Sequence, residues 1–395
     1  MSFFENSLMN IAMISYYYYP EYSGSAKQAS GLIKELAKNG IKSFIITARQ
    51  NRKWPEHEFL DGIEVIRVPV RNRKSLFRFW FGVAWVLWKY RRKIDIVHSH
   101  GMNPLHGFSL FWAKLLKIPS VGKLSIAKSD IDFKNQGRLI GKIHKWFLKK
   151  SDLYISISSE MTQEVERSGL DGSKCVFLPN GVDRNRFFPV SSVIRKRIRE
   201  DLTFSSNEFL ILFVGVIDYR KGVDILLSAF KEVAPIYSNA KLILVGPLNR
   251  DDVDRKFYNS MVNLTVKFGI QNQVEFRNTS HQVEKYYQCA DLFVLPSRNE
   301  GMPNVVLEAM SCGLPIVGTR ISGTTDLIDD SKNGLIVEKN DYQDLAEKIK
   351  LLIDNKNMLI KMGKKSIEYV RRKYDLQLIG KEYSNIYRKL LKEVD

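Results

Sequence analysis

Short apolar runs alternate with amphipathic stretches along the whole chain. Asn10 to Ser15, Lys42 to Thr47, Gly62 to Pro69, Ile94 to His98, Ser120 to Leu124 and Leu153 to Ser158 have strand length. Helical patterns separate them, the first running from Lys27 to Asn39 and closed by Gly40. Runs of this kind belong to strands covered on both faces, so the pattern predicts a parallel sheet between helices. The rhythm breaks between Leu178 and Pro189, which predicts a linker. A second series then follows: Phe209 to Val214, a helix over Val223 to Val233, Lys241 to Val245, a helix over Val253 to Phe268, Val274 to Phe276, Leu292 to Leu295, a helix from Pro303, Ile316 to Gly318, and Gly334 to Val337. Basic amphipathic helices fill Asp341 to Val394. The expected fold class is α/β, with two doubly wound, Rossmann-like domains whose strand ends border a ligand cleft.

Composition narrows the class. With 395 residues, 44% hydrophobic and 26% charged, the chain can fill two cores and is not a disordered one. Cys175, Cys289 and Cys312 lack metal-ligand spacing and a disulfide framework, which suits a reducing cytoplasm. No secretory signal is read at the start, and the apolar run Phe79 to Trp88 has about half of the roughly 20 residues a membrane span needs. The net charge of +18 is one-sided: Val65 to Lys150 holds 19 Lys and Arg against Asp95, Asp130 and Asp132, a balance of +16. Such a stretch attracts nucleic acid, anionic lipid or phosphorylated substrates.

Chemistry concentrates in the loop Pro296-Ser-Arg-Asn-Glu-Gly-Met-Pro-Asn-Val-Val-Leu-Glu308, directly after an apolar run. Pro303 suits the first helical position, where its missing N–H costs nothing. The N–H groups of Asn304, Val305 and Val306 would then face an anion such as a diphosphate at the helix end. Glu308, one turn beyond Asn304, leans back toward that end and can accept from two vicinal ribose hydroxyls. Glu300 lies in the loop before the helix, where a hexose would present further hydroxyls. A second loop, Gly215-Val-Ile-Asp-Tyr-Arg220-Lys221-Gly222, offers close backbone approach at Gly215 and a point charge at Lys221 for a leaving diphosphate.

Glu300 to Glu308 followed by Ala309-Met-Ser-Cys-Gly-Leu-Pro315 resembles the E-x7-E signature of family-4 retaining glycosyltransferases, which have the two-domain GT-B fold. Gly24-Ser25, Asp95-Ile-Val-His98-Ser-His100, Pro179-Asn-Gly-Val-Asp183, Gly215 to Gly222, and Ser322-Gly323 fall in the expected order, so the resemblance covers nearly the whole chain. It implies transfer of a sugar from a nucleotide sugar to a hydroxyl acceptor, without a cofactor or metal. By the same resemblance Glu300 contacts the sugar, Gly301, Met302, Pro303, Asn304 and Val305 hold sugar and phosphate by their backbone, and Glu308 binds the ribose. The implied division is an acceptor-binding domain over residues 1–183, a nucleotide-sugar domain over 184–372, and a final helix over 373–395 returning to the first domain. Val216 stands where relatives often carry Arg, which makes Arg220 its substitute. In the first domain Gly24-Ser25 is a candidate phosphate loop and His100 a candidate catalytic residue, while Gly122-Lys-Leu-Ser125 replaces a familiar histidine. Asp130-Ile-Asp132 and Asp252-Val-Asp254 read as surface acids, not as metal ligands.

Ser75 to Lys93 sets Phe77, Phe79, Trp80, Phe81, Trp85, Trp88 and Tyr90 beside Arg78, Lys89, Arg91, Arg92 and Lys93, and Arg138 to Lys150 adds a second basic helix. This predicts peripheral contact with an anionic inner-leaflet membrane and a lipid-linked or polysaccharide acceptor. Competing readings are a nucleotide-sugar epimerase, a non-catalytic nucleotide-sugar binder, and a basic nucleic-acid-binding protein. The last lacks any helix-turn-helix, zinc or RNA-recognition pattern.

Overall fold

The computed structural model describes residues 9–21, 23–70, 76–126, 130–133, 135–247 and 252–392, without the side chains of 76, 138 and 252–254. The chain forms two compact units, Met1–Gly181 with Leu376–Asp395, and Val182–Asp375.

The first unit contains β1 (Met9–Ile14), α1 (Gly24–Lys38), β2 (Ile41–Arg49), β3 (His57–Leu60), β4 (Ile63–Pro69), α2 (Leu76–Tyr90), β5 (Ile96–His100), α3 (Pro104–Leu115), β6 (Ser120–Lys123), α4 (Arg138–Leu148), β7 (Leu153–Ser156), α5 (Ser159–Arg167) and β8 (Cys175–Phe177). Its strands lie in the order β3-β4-β2-β1-β5-β6-β7-β8. All neighbours are parallel except β3 and β4, which pair antiparallel. The β3–β4 hairpin turns on Asp61 and Gly62, both with positive φ, as a two-residue Asp-Gly connection requires. The half-exposed β3 was not expected from the sequence because it has no continuous apolar run. Helix α1 starts three residues earlier than its apolar pattern, because Ser23 caps it by accepting from the Ala26 N–H.

The second unit contains α6 (Ser192–Asp201), β9 (Phe209–Val214), α7 (Val223–Val233), β10 (Ala240–Val245), α8 (Asp252–Lys267), β11 (Val274–Arg277), α9 (Val283–Cys289), β12 (Leu292–Leu295), α10 (Asn304–Ser311), β13 (Ile316–Thr319), α11 (Thr324–Leu327), β14 (Gly334–Val337), α12 (Tyr342–Asp354) and α13 (Lys356–Lys373). Its sheet is wholly parallel, in the order β11-β10-β9-β12-β13-β14. The order reverses between β9 and β12, the kind of switch point outside which ligands bind in open α/β sheets.

The last helix, α14 (Leu376–Lys392), belongs to the first unit. Its Ile379, Tyr383, Tyr387 and Leu390 join the core formed by β1, β2, β5 and α1. Tyr387 donates or accepts a 2.6 Å hydrogen bond at His98 Nδ1, which fixes the helix to β5.

Candidate active site

The loops after β9 and β12 carry the candidate donor residues, and the pairing of those strands brings the loops together. Lys221 Nζ lies 2.5 Å from Glu300 Oε1, and both side chains are nine-tenths buried. Arg220 Nη1 is 3.2 Å from Glu300 Oε2, and Ser297 Oγ donates to Oε1 at 3.0 Å. Burial alone would raise the Glu300 carboxyl, but the charges of Lys221 and Arg220, with hydrogen bonds from Lys221 and Ser297, hold it below its ordinary range. A carboxylate offers about four lone-pair sites. Lys221 and Ser297 both donate to Oε1, while Oε2 faces Arg220 as an ion pair, so the carboxylate keeps acceptor capacity for a further donor.

Local turns set this geometry. Asp218 caps a 3-10 turn over Tyr219–Lys221 by accepting from the Lys221 N–H, and Gly222 ends it at φ 68°. A Cβ on Gly222 would sit 2.1 Å from the Pro296 carbonyl oxygen, so only glycine lets the two loops meet. The aliphatic stem of Lys221 packs over Gly215, whose Cβ position is 3.6 Å from Lys221 Cε. Gly323, at φ 73°, presses likewise on Gly301 and Met302, since a Cβ would lie 2.0 Å from the Gly301 carbonyl oxygen.

Helix α10 begins at Asn304, and Pro303 occupies the capping position just before it. The Val306 N–H is taken up by the Pro303 carbonyl at 3.0 Å, which corrects the expectation that it faces an anion. The tight first turn closes that bond because Pro303 is extended instead of helical. Every residue of α10 after Asn304 is buried, Glu308 included. Tyr287, on α9 and fully buried, donates to Glu308 Oε2 at 2.9 Å. The second unit therefore brings Gly215, Arg220, Lys221 and Glu300 into one cluster, continuous through Gly301, Met302 and Pro303 with the helix carrying Asn304, Val305 and Glu308.

Sequence reasoning missed Ser297, Asp218 and Tyr287. Ser297 and Asp218 are polar residues three before the groups they serve, a spacing visible in the chain. Tyr287 lies on another helix and had no local signal.

The remaining candidates are in the first unit. Gly24 and Ser25 form the opening turn of α1, with Ser25 Oγ 2.8 Å from Ser23 Oγ. His100 ends β5 fully enclosed, stacked on His98 at 4.3 Å between ring centres, with Nε2 3.4 Å from the Met13 sulfur. Burial, then the neighbouring His98 and Lys123, keep its imidazole neutral far below the usual range. Lys123 is itself enclosed, 5.6 Å from the Tyr383 ring centre, and burial lowers its amine to about 7. Asp130 corrects the expectation of a surface acid. It is 1% exposed and accepts from Ser125 Oγ and the N–H groups of Ser125 and Ile126, pinning the loop after β6. Asp132, by contrast, holds the Asn135 side chain at the surface. The side chains of Asp252 and Asp254 lie outside the described residues.

Two parallel-sheet units of this kind, with two glutamates spaced across a strand, loop and helix of the second, define the GT-B class of glycosyltransferases. Residues 194–369 match the family model described as glycosyl transferases group 1, and residues 22–186 match that of glycosyltransferase family 4. The chain belongs to family 4 and is a glycosyltransferase. It is 26% identical to the alpha-monoglucosyldiacylglycerol synthase of Acholeplasma laidlawii, over 97% of this chain and 98% of that one. The fold is shared with sucrose-phosphate synthase from Thermosynechococcus elongatus, with a TM-score of 0.84 and 21% identity over 98% of this chain and 100% of that one. It is also shared with Anabaena HepE in complex with UDP-glucose, with a TM-score of 0.80 and 18% identity over 96% and 100%.

Proposed function

We propose that the protein transfers a sugar, with retention at the anomeric carbon, from a nucleoside-diphosphate sugar to a hydroxyl of a lipid-linked or polysaccharide acceptor. The observation that carries this reading is the Lys221–Glu300–Arg220 cluster beside the start of α10, with Lys221 and Glu300 buried and Arg220 more open. Lys221 and Arg220 set two cations where a diphosphate departs, beside the carboxylates of Glu300 and, 3.9 Å from Arg220, Asp218. The acceptor oxygen bonds to the anomeric carbon on the face from which the phosphate oxygen leaves. The electron pair of the broken bond goes to the diphosphate, which takes the acceptor's proton. Glu308 holds the ribose from its place on α10, and the remaining acceptor capacity of Glu300 takes a sugar hydroxyl. HepE, whose fold is similar, has been solved with UDP-glucose, which supports a donor of this class. The test is acceptor-dependent release of nucleoside diphosphate, followed by NMR of the product's anomeric configuration. Release without an acceptor product, or an inverted product, overturns the reading. An epimerase would instead return the nucleotide sugar changed at one ring carbon.

The acceptor class rests on a surface of the first unit. Phe77, Phe81, Trp85 and Trp88 project from α2 and are half or more exposed, while Phe79, Val83 and Leu87 on the other side enter the core. Aromatic contacts continue this face from Phe77 through Trp80, Phe108 and Phe111 to Trp146 on α4, where Leu139 and Ile140 are also exposed. Arg91 lies over Trp88 and Lys150 over Trp146, each at 5.0 Å from the ring centre. Aromatic rings rimmed by cations suit the interface of an anionic bilayer. No helix among the described residues is long and apolar enough to cross a membrane. Co-sedimentation with phosphatidylglycerol vesicles but not phosphatidylcholine vesicles is expected, and equal binding to both defeats the proposal.

A further inference from the structure

Arg298 has a different task from the two cations beside it. Its side chain is 13% exposed, and its donors are committed within the protein. Nη1 donates to Asp224 Oδ1 at 2.8 Å and to the Tyr219 carbonyl at 2.6 Å. Nη2 donates to Asp224 Oδ2 at 2.7 Å, and Nε to Asn340 Oδ1 at 2.9 Å. The guanidinium also stacks on the Tyr219 ring, 3.8 Å from its centre. Asp224 lies in the first turn of α7, where a carboxylate is favoured, and its bonds raise the basicity of Arg298 further. The fork therefore joins four segments: the loop after β12, the turn after β9, the start of α7 and the turn after β14.

The join continues along the backbone. The Arg298 N–H donates to the Arg220 carbonyl at 2.7 Å, and Arg220 Nη1 returns a bond to the Asn299 carbonyl at 3.0 Å. These contacts flank Lys221 on both sides in sequence and lie immediately before Glu300. Neither loop has regular structure beyond its short turn to hold those two residues in register.

We propose that Arg298 is a positioning residue, which sets the Lys221 ammonium for the departing diphosphate through its fork to Asp224 without touching the donor. The proposal rests on the donor-site reading above. A lysine cannot replace it, because a point charge reaches Asp224 but not Tyr219, Asp224 and Asn340 together.

The test is a double-mutant cycle on the full-length protein. Binding of UDP, GDP and ADP is measured by calorimetry, and turnover with the sugar donor of the best-bound diphosphate. Arg298→Ala is expected to lower kcat on the order of 10- to 100-fold, as a misplaced catalytic group does. In a Lys221→Ala background the same change is expected to cost less than about 3-fold, since its effect passes through Lys221. Arg298→Lys should recover little of the loss, and Asp224→Asn should reproduce it. Should Arg298→Ala fail to fold, the conservative pair Arg298→Lys and Asp224→Asn carries the same comparison. Normal kcat with a lowered melting temperature makes Arg298 a structural staple and overturns the proposal, as do losses that add fully with Lys221→Ala. If the unsubstituted protein binds none of the three diphosphates, the donor-site reading fails first and the positioning role falls with it. Normal binding with an indifferent Arg298→Ala overturns the positioning role alone.

Discussion

Glu308 is buried on α10 with the Tyr287 hydroxyl 2.9 Å from its Oε2, so the carboxylate proposed to bind the ribose is oriented from α9. Hydrogen bonds to charged groups contribute about 1.5–3 kcal/mol, or on the order of 10- to 100-fold in binding. Glu308→Ala is expected to weaken nucleoside diphosphate affinity by that amount, read by calorimetry. Tyr287→Phe should weaken it less, because the carboxylate stays but loses its orientation. An unaltered dissociation constant in Glu308→Ala counts against the ribose role.

Replacing Glu300 tests the cluster from its anionic side. Its carboxyl is held below the ordinary range, so the ionised form stabilises the fold above pH 4.5, and that contribution is lost as pH falls through the folded value. Glu300→Gln leaves Lys221 and Arg220 without their shared anion. It is expected to cost about 1–3 kcal/mol at neutral pH. The gap in melting temperature from the parent protein should close as pH drops below that of an ordinary carboxyl. A gap that does not narrow as pH falls below 4.5 contradicts the charge-pair account.

Lys123 predicts a second rise of stability with pH, in the alkaline range. Its folded value of about 7 lies below the ordinary 10.5, so between the two the unfolded chain binds more protons and stability rises with pH. Lys123→Met should remove that rise, giving a melting temperature that varies less from pH 7 to 10. A constant difference between the two proteins across this window removes the basis for a buried amine.

If Lys221 and Arg220 supply the charge at the leaving diphosphate, as proposed, turnover is expected to be independent of divalent cations. Activity after EDTA treatment is expected within about 2-fold of the untreated protein, against losses of several kcal/mol in the barrier where a metal is the Lewis acid. Recovery only on adding a divalent ion sinks the metal-free reaction.

Much of the second unit was legible because its strands are uninterrupted apolar runs, as in Phe209 to Val214, and the donor loop follows one directly. The α10 boundary differed by one residue because capping depends on the backbone of Pro303, not on its identity alone. Asp130 could not be recognised as buried, since the three donors to its Oδ2 come from Ser125 and Ile126 and meet it only in the folded chain. Tyr287 and Glu308 are 21 residues apart and meet through packing of α9 against α10. On α2 the sequence showed aromatics all round the helix, but not that one side would enter the core while the other stayed outside. That division depends on where β4 and α3 lie.

The return of α14 makes the second unit an insertion within the first. Gly181 and Leu376 belong to one body, and everything between them is a single uninterrupted passage. That passage is clasped where it begins and ends: the Val182 N–H donates to the Tyr374 carbonyl at 2.8 Å, and Arg184 pairs with Asp375 at 2.8 Å. A stop codon before Leu376 would therefore leave the second unit whole and open the core of the first, stripping His98 of Tyr387. Residues 376–392 thus complete a core whose other strands and helices lie almost 200 residues or more before them in sequence.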